Sequence, residues 1–320
     1  MLFIEGGRLG TSLSNWNYNS MLKIAWSEKY AHPLPQGHRF PMEKYELLPQ
    51  QLLYEGTIGE ENLFIPKALE ERWLLNTHKP EYVSKLRNLA LDKSEIRKTG
   101  FPLSQALIER EIHIMDGSVQ ACLYARKYGI AMNSAGGTHH AFTDRGEGFC
   151  LLNDIAISAN YLLDNHLANR VLVIDLDVHQ GNGTAEIFQD KEQVFTFSMH
   201  GAANYPLHKE RSDLDVPLPD GMGDAEYLEV LDQHLEPVMD SFQPDFLIYQ
   251  CGVDVLASDK LGRLGLSLAG CRSRDERVLT LAKRKGIPIM CCMGGGYSEK
   301  ISLIIEAHAN TYRLAQYLYF

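Results

Sequence analysis

The sequence predicts one doubly wound α/β domain, with a mostly parallel sheet and helices on both faces. Three observations predict it. Short apolar runs recur along the chain, segments with helical periodicity separate them, and each run is apolar almost throughout, as in strands covered on both faces. Alternating strands and helices form the crossover units of a parallel sheet. A length of 320 residues, 45% of them hydrophobic, is compatible with a single such domain.

The predicted elements begin after an N-terminal stretch, residues 1–20, which is rich in Gly, Ser and Asn and is expected to be a poorly ordered tail. The domain then covers residues 21–320. The region from Gly37 to Lys98 is richer in charge and Pro, and it predicts a helical cap on the same domain. Apolar runs predict strands over 22–26, 129–133, 170–176, 193–199, 245–251 and 287–293. Helices are predicted over about 116–128, 152–167, 183–190, 224–240, 267–285 and 298–318.

Composition excludes several classes of protein. A formal net charge of -10 disfavours a nucleic-acid binder and binding to an anionic membrane surface. The six cysteines show no paired spacing apart from the adjacent Cys291 and Cys292, so no disulfide framework is expected. No apolar run approaches the length of a membrane span, and no signal peptide is recognisable. The sequence therefore predicts a soluble, cytoplasmic protein, and it leaves the oligomeric state open.

Polar residues follow four of the predicted strands. "GIAMN" is followed by "SAGGTHHAF", "RVLVI" by "DLDVHQGNG", "FLIYQCG" by "VDVLASD", and "IPIMCCM" by "GGGY". Ligands of open parallel sheets bind beyond the carboxyl ends of the strands. These four segments are therefore expected to line one cleft.

Three residues of these segments are candidate metal ligands. Asp177 and His179 are two residues apart in extended chain, so their side chains point the same way, and Asp254 is the candidate third ligand. Such a set leaves an open position for water, as catalytic zinc requires, and its donors suit Zn²⁺ or Fe²⁺. The alternative is that Asp177 and His179 cap the next helix or form a local salt bridge.

The remaining polar residues suggest acid–base chemistry. His139 and His140 follow a Gly-Gly turn, and a histidine is the usual general base for a metal-bound water. Asp175 and Asn182 are available to fix the tautomers of the two rings. Tyr297 could place its hydroxyl against a carbonyl oxygen that becomes negative, although a packed aromatic is the alternative.

Taken together, these segments resemble the zinc-dependent histone deacetylase family, whose fold is shared with arginases. The matching pieces are "GGTHHAFTDRGEGFCLLND", "VLVIDLDVHQGNGT", "FSMH", "YQCGVDVLASDKLGRLGLS" and "GGGY", in family order. "HQGNG", "DKLGRLGLS" and the short chain are most similar to the class IV branch, which includes many bacterial proteins.

The resemblance implies a role for each site residue. Asp177, His179 and Asp254 would bind zinc, His140 would take the proton from the zinc-bound water, and Tyr297 would polarise the acyl carbonyl. His139, paired with Asp175, would be the electrostatic partner of His140. The implied substrate channel comprises Gly148, Phe149, Tyr205, Leu261 and Gly295. The implied structural potassium site comprises Asp175, Asp177, His179, Ser198 and Met199.

The implied activity is removal of acetyl or longer acyl groups from lysine side chains of a protein or peptide. Asn182 stands where class I members have an aspartate. The second histidine, His140, therefore has a neutral partner, and the pH optimum stays open. An acetylpolyamine or other small N-acylated amine is the alternative substrate, although the apolar Leu261 does not provide the acid that would hold a second cation. A binding module without catalysis is a further alternative, but no implied catalytic residue is missing.

Overall fold

The computed structural model of the protein describes residues 21–320, so the predicted tail over 1–20 lies outside the described residues. Eight parallel strands form one sheet in the order β2-β1-β3-β8-β7-β4-β5-β6. The strands are β1 (Lys23–Ala25), β2 (Leu63–Phe64), β3 (Ile130–Asn133), β4 (Val171–Asp175), β5 (Val194–Gly201), β6 (Leu214–Leu218), β7 (Phe246–Gln250) and β8 (Ile289–Cys292). The predicted parallel sheet is confirmed.

Two strands, β2 and β6, were not predicted. They lie at the two edges of the sheet. The two residues of β2 are only partly buried, and β6 contains the exposed Pro217. Edge strands are covered less completely than central strands, and Pro is tolerated there because one side of the strand needs no ladder hydrogen bond. Neither segment therefore has the continuous apolarity by which the six central runs were recognised.

Ten α-helices accompany the strands within residues 21–320. They are α1 (Lys44–Tyr54), α2 (Glu71–Leu75), α3 (Pro80–Arg87), α4 (Lys93–Thr99), α5 (Gln105–Tyr128), α6 (Asp154–Asp164), α7 (Asn182–Phe188), α8 (Asp224–Phe242), α9 (Leu268–Lys285) and α10 (Ile301–Tyr319). The helix predicted from residue 116 begins earlier, at Gln105, because the Ser104 side chain accepts from the Leu107 N–H and caps it. The predicted cap over 37–98 contains α1 to α3 and most of α4, but also β2.

The sheet is buried on both faces. Side chains alternate along β4, so Leu172 and Ile174 pack into one hydrophobic cluster and Val171 and Val173 into another. Helices α8, α9 and α10 contribute to the first cluster, while α6 and one side of α5 contribute to the second. This two-sided burial explains why the central strands are apolar almost throughout.

The four strands followed by polar residues, β3, β8, β7 and β4, are neighbours in the sheet. Their carboxyl ends therefore meet along one continuous stretch of the sheet edge. All six cysteines are buried and unpaired. Within residues 21–320, no helix has both the length and the apolarity needed to cross a membrane.

Candidate active site

Asp177, His179 and Asp254 come together beyond the ends of β4 and β7. His179 Nδ1 lies 3.0 Å from Asp177 Oδ1 and 3.1 Å from Asp254 Oδ2. One ligand atom from each residue lies within 4.8 Å of the others, and all three residues are buried. Two carboxylates and an imidazole in this arrangement could hold one metal ion.

Hydrogen bonds fix the two carboxylates. Asp177 Oδ2 accepts from Gln250 Nε2 (2.8 Å) and from the Gly295 N–H (3.0 Å). Asp254 Oδ1 accepts from the Val178 N–H (3.0 Å). The other oxygen, Asp254 Oδ2, is buried and makes no hydrogen bond of acceptable geometry with residues 21–320. A buried carboxylate oxygen without a donor, aimed at a second carboxylate and an imidazole, is suited to a cation.

The electrostatics of these three residues also fit a cation. Burial and the nearby Asp177 carboxylate raise the pKa of Asp254 to about 7. Burial lowers the pKa of His179, but the close carboxylates of Asp177 and Asp254 raise it more, to about 10. The cluster therefore attracts positive charge, and a divalent ion would replace the proton on the imidazole.

The second glycine of "GGGY" allows the loop to approach the cluster closely. A Cβ at Gly295 would lie 2.0 Å from Asp254 Oδ2 and 2.8 Å from Asp177 Oδ2. Any side chain there would displace the carboxylates, so the N–H that donates to Asp177 requires a glycine at this position.

A buried arginine supports both loops that carry the candidate ligands. Arg274 of α9 donates through Nη1 to the carbonyls of Leu176 (3.0 Å) and Gly252 (2.6 Å), and through Nη2 to that of Cys251 (3.2 Å). Its Nε donates to Asp275 Oδ1 (2.9 Å). These carbonyls directly precede or follow the ends of β4 and β7, so Arg274 ties the two loops to one helix.

The two histidines that follow β3 lie beside the cluster, and each has a partner at Nδ1. His139 Nδ1 is 2.7 Å from Asp175 Oδ2, and His140 Nδ1 is 2.6 Å from Asn182 Oδ1. The ring centroids of the two histidines are 4.1 Å apart. Because the amide oxygen of Asn182 accepts from Nδ1, the proton of neutral His140 sits there, and Nε2 is left as an acceptor.

The two histidines differ in charge. Burial lowers the pKa of His139, but the carboxylates of Asp175 and Asp177 raise it more, to about 9. Burial and the positive charges of His139 and His179 hold the pKa of His140 well below its usual range. At neutral pH, His140 is therefore a neutral base beside a charged His139.

Tyr297 lies at the end of the glycine loop and lines the same cavity as His140 and His179. Its backbone N–H donates to Asp259 Oδ2 (2.6 Å). Burial and the carboxylates of Asp254 and Asp177 raise the pKa of the Tyr297 hydroxyl. The hydroxyl therefore stays protonated near neutral pH and can donate a hydrogen bond.

A channel leads from the surface to these residues. Gly148, Phe149, Tyr205 and Leu261 line it, with His140, His179 and Tyr297 deeper in. The Tyr205 hydroxyl donates to Glu147 Oε2 (2.7 Å), which fixes the ring at the mouth. Gly148 has a left-handed φ of 53°, and a Cβ there would lie 2.6 Å from His140 Cδ2, so only glycine lets the wall approach that ring.

The other residues of the predicted channel and potassium site lie nearby. Gly295 lines a smaller cavity at the base of the channel. Ser198 is the β5 residue paired with Asp175 of β4, and Met199 follows it. Asp175, Asp177 and His179 belong to the loop described above, so all five predicted potassium residues lie on β4, β5 and the segment that follows β4.

Three residues with clear roles in the geometry were missed in the sequence, and Arg274 is one of them. Gln250 holds Asp177, and Asp259 accepts from the N–H groups of Leu261, Gly262 and Tyr297. The signal for Asp259 was its position in "DKLG", shortly after the candidate ligand Asp254. Gln250 lies inside an apolar strand run, where nothing in the sequence distinguishes it.

Comparisons with known proteins show what the chain is similar to. The family model described as "Histone deacetylase domain" matches residues 38–312. An uncharacterized protein of Picosynechococcus sp. is 40% identical over 296 residues, covering 92% of this chain and 99% of that protein. Histone deacetylase 2 of Arabidopsis thaliana is 31% identical over 278 residues, covering 84% and 72%. A crystal structure of an HDAC homologue complexed with SAHA has a TM-score of 0.79 and 28% identity, covering 92% and 82%.

Proposed function

Because this chain belongs to the histone deacetylase family, which comprises metal-dependent deacetylases, we propose that it removes acetyl or other short acyl groups from lysine side chains. One observation carries the proposal. The candidate ligands Asp177, His179 and Asp254 lie beside a neutral His140 and a protonated Tyr297, at the base of a channel. Residues 21–320 would form the catalytic domain.

Asp177, His179 and Asp254 would hold the metal, which we propose to be zinc, with Fe²⁺ suited to the same donors. When bound, the metal would lower the pKa of a water molecule and polarise the substrate carbonyl. A structural K⁺ at Asp175, Asp177, His179, Ser198 and Met199 is part of the same proposal. The proposal also includes a cytoplasmic location and membership of the class IV branch.

His140 would act as the general base and acid. Its Nε2 would accept the proton of the attacking water and later return it to the leaving amine. The pair of His139 and Asp175 would keep a positive charge beside His140 and so favour the negative charge that develops on the acyl group. Tyr297 would donate its hydroxyl hydrogen to the same acyl oxygen.

The channel would hold an aliphatic stem. Phe149 and Tyr205 offer apolar surfaces to the methylene groups of a lysine, and Leu261 adds a third. The cavity at the base, which Gly295 lines, is only about 40 Å³ in volume. It therefore favours acetyl over a long acyl chain.

The test is hydrolysis of a fluorogenic acetyl-lysine peptide by protein of known zinc content, compared with a myristoyl-lysine peptide and with acetylpolyamines. We expect acetyl-lysine to be the preferred substrate. His140→Ala and Tyr297→Phe should each lower kcat by about 100-fold or more, while zinc content stays at the wild-type level. Unchanged activity in both variants would refute the mechanism, and a preference for acetylpolyamines would replace the substrate.

A further inference from the structure

The channel mouth carries two positive side chains, Arg39 and Lys98, and both line the channel. Neither forms an ion pair with a carboxylate of residues 21–320. Lys98 contacts the channel wall through its backbone, and Arg39 does so through its side chain. Gly148 N–H donates to the Lys98 carbonyl (3.0 Å), and the Arg39 guanidinium carbon lies 4.9 Å from the centre of the Phe149 ring. Both side chains are exposed, and these contacts place them beside the mouth.

The acidic residues near the mouth have other partners than Arg39 and Lys98. Glu147 accepts from Arg145 Nε (3.0 Å) as well as from the Tyr205 hydroxyl. Asp259 is occupied by three backbone N–H groups. A chain with a formal net charge of -10 thus carries two positive side chains without carboxylate partners, within residues 21–320, at the entrance to its own channel.

We propose that the preferred substrate carries a carboxylate within one or two residues of the acyl-lysine. The inference rests on the proposed deacylase function and specifies its substrate class. A carboxylate at this distance would approach Arg39 and Lys98 without burial, so its desolvation cost is small and the attraction is not cancelled. The same two charges would repel the second cation of an acetylpolyamine.

The experiment compares amidated acetyl-lysine peptides that differ at the two flanking residues, which are glutamate, glutamine or lysine. A further peptide ends in a free carboxylate directly after acetyl-lysine. We expect kcat/KM to fall from the glutamate to the glutamine to the lysine peptide, by roughly three- to tenfold at each step at low salt. The differences should lie in KM and shrink as the salt concentration rises.

Variants identify the source of the preference. The double variant Arg39→Gln with Lys98→Gln should give the three amidated peptides nearly equal kcat/KM. Lys93→Gln, which removes an exposed charge from the other end of α4, should keep the wild-type preference. A preference confined to the peptide with the free carboxylate would support the proposal and assign the charge to the substrate's C-terminus.

The proposal would be overturned if, in the wild-type enzyme, neither the glutamate peptide nor the peptide with the free carboxylate had a higher kcat/KM than the glutamine peptide. A glutamate preference that survives in the double variant would overturn it as well. Failure to hydrolyse any acetyl-lysine peptide would instead refute the proposed function, so the two failures are distinguishable.

A second observation concerns Lys44, a fully buried lysine at the start of α1. Its Nζ donates to the carbonyl of Gly294 (3.0 Å). The aromatic rings of Phe40, Tyr45 and Tyr297 surround the ammonium at 5.3, 5.4 and 5.7 Å from their centroids. Burying a charge with a single hydrogen bond costs free energy, and the three aromatic faces offset only part of that cost. The presence of a buried lysine here therefore indicates a function.

The Gly294 carbonyl and the Gly295 N–H belong to the same peptide unit. Lys44 binds the oxygen of this unit, while its N–H donates to Asp177 Oδ2 (3.0 Å). The peptide is therefore polarised from both ends, by an ammonium on one side and by a candidate metal ligand on the other. Hydrogen bonds in such a chain strengthen one another.

We infer that Lys44 is a positioning residue for the metal site. It acts through the Gly294–Gly295 peptide, which orients Asp177 and begins the loop that ends at Tyr297. The inference rests on the proposed metal site at Asp177. Lys44 itself would touch neither the metal nor the substrate.

The zinc dissociation constant, measured by competition with a chelator, tests this role apart from catalysis. Lys44→Met removes both the charge and the donor, and should weaken zinc binding by about tenfold. Lys44→Gln keeps a donor and should weaken binding less. Leu48→Ala removes a buried neighbour on the same helix, and should lower the melting temperature without changing zinc affinity.

Wild-type zinc affinity in folded Lys44→Met would overturn the inference. If that variant does not fold, Lys44→Gln decides, and wild-type affinity there together with normal kcat would overturn it equally. A wild-type protein that binds no zinc would refute the metal site itself.

Discussion

The amide oxygen of Asn182 lies 2.6 Å from Nδ1 of His140, whereas the neighbouring His139 is paired with the carboxylate of Asp175 at 2.7 Å. The two histidines therefore have partners of different charge. Burial and the charges of His139 and His179 already depress the pKa of His140, and a neutral amide restores little of it. His140 thus stays neutral to lower pH than a histidine paired with a carboxylate would.

Asn182→Asp should move the acid limb of the kcat/KM profile to higher pH. A carboxylate beside Nδ1 stabilises the imidazolium, so the pKa of His140 rises and the base form is lost at a higher pH, by about one unit or more. The measurement is kcat/KM for an acetyl-lysine peptide between about pH 5 and 9. Asn160→Asp, the same change in the buried part of α6, should leave the limb in place. An unmoved limb in Asn182→Asp would show that His140 is not the titrating base.

Asp254→Asn should abolish stabilisation by zinc. Saturating zinc at about 100 times its dissociation constant should stabilise the wild-type protein by about 2.7 kcal/mol. In the variant the amide removes a ligand charge and also the repulsion between Asp254 and Asp177. The metal-free variant should therefore melt at or above the temperature of the metal-free wild type. Scanning calorimetry with and without zinc checks both statements, and a full zinc-induced rise in the variant would contradict them.

The sequence allowed the centre of the site to be predicted, but not its surroundings. Parallel topology places the carboxyl ends of all strands at one edge of the sheet. The predicted site residues, Asp177, His179, Asp254, His140 and Tyr297, all follow such strand ends. Arg39, Lys44 and Lys98 come from the largely helical region between β1 and β3. Their positions depend on how that region packs, and no periodicity in the sequence reports this. Strands β2 and β6 were missed for a related reason, since edge strands lack the apolar pattern of buried ones.

Arg274→Met should destabilise the fold and weaken the metal site together. The arginine is fully buried and binds three carbonyls next to the ends of β4 and β7, as well as Asp275. Its removal leaves those carbonyls and the Asp275 charge without their partner, which should cost about 3 kcal/mol or more of unfolding free energy. Urea unfolding measures that loss.

A matched control for Arg274→Met is Arg277→Met on the same helix. Arg277 pairs with the half-exposed Asp232. An exposed pair of this kind contributes about 1 kcal/mol at most. Similar losses in the two variants would show that the buried contacts of Arg274 have no special weight.

Gly295→Ala should reduce zinc affinity while leaving most of the fold intact. The added Cβ would lie 2.0 Å from Asp254 Oδ2 and 2.8 Å from Asp177 Oδ2, far inside van der Waals contact. Because Gly295 also donates its N–H to Asp177, the loop can relieve this overlap only by moving away and lengthening that hydrogen bond. Both displacements distort the ligand geometry, so zinc affinity should fall by at least about tenfold.

Gly223→Ala is the matched control, since no heavy atom lies within 4 Å of its Cβ position. Zinc titration of both variants, with circular dichroism to verify folding, makes the comparison, and equal zinc affinity in the two would mean that the glycine loop does not shape the metal site.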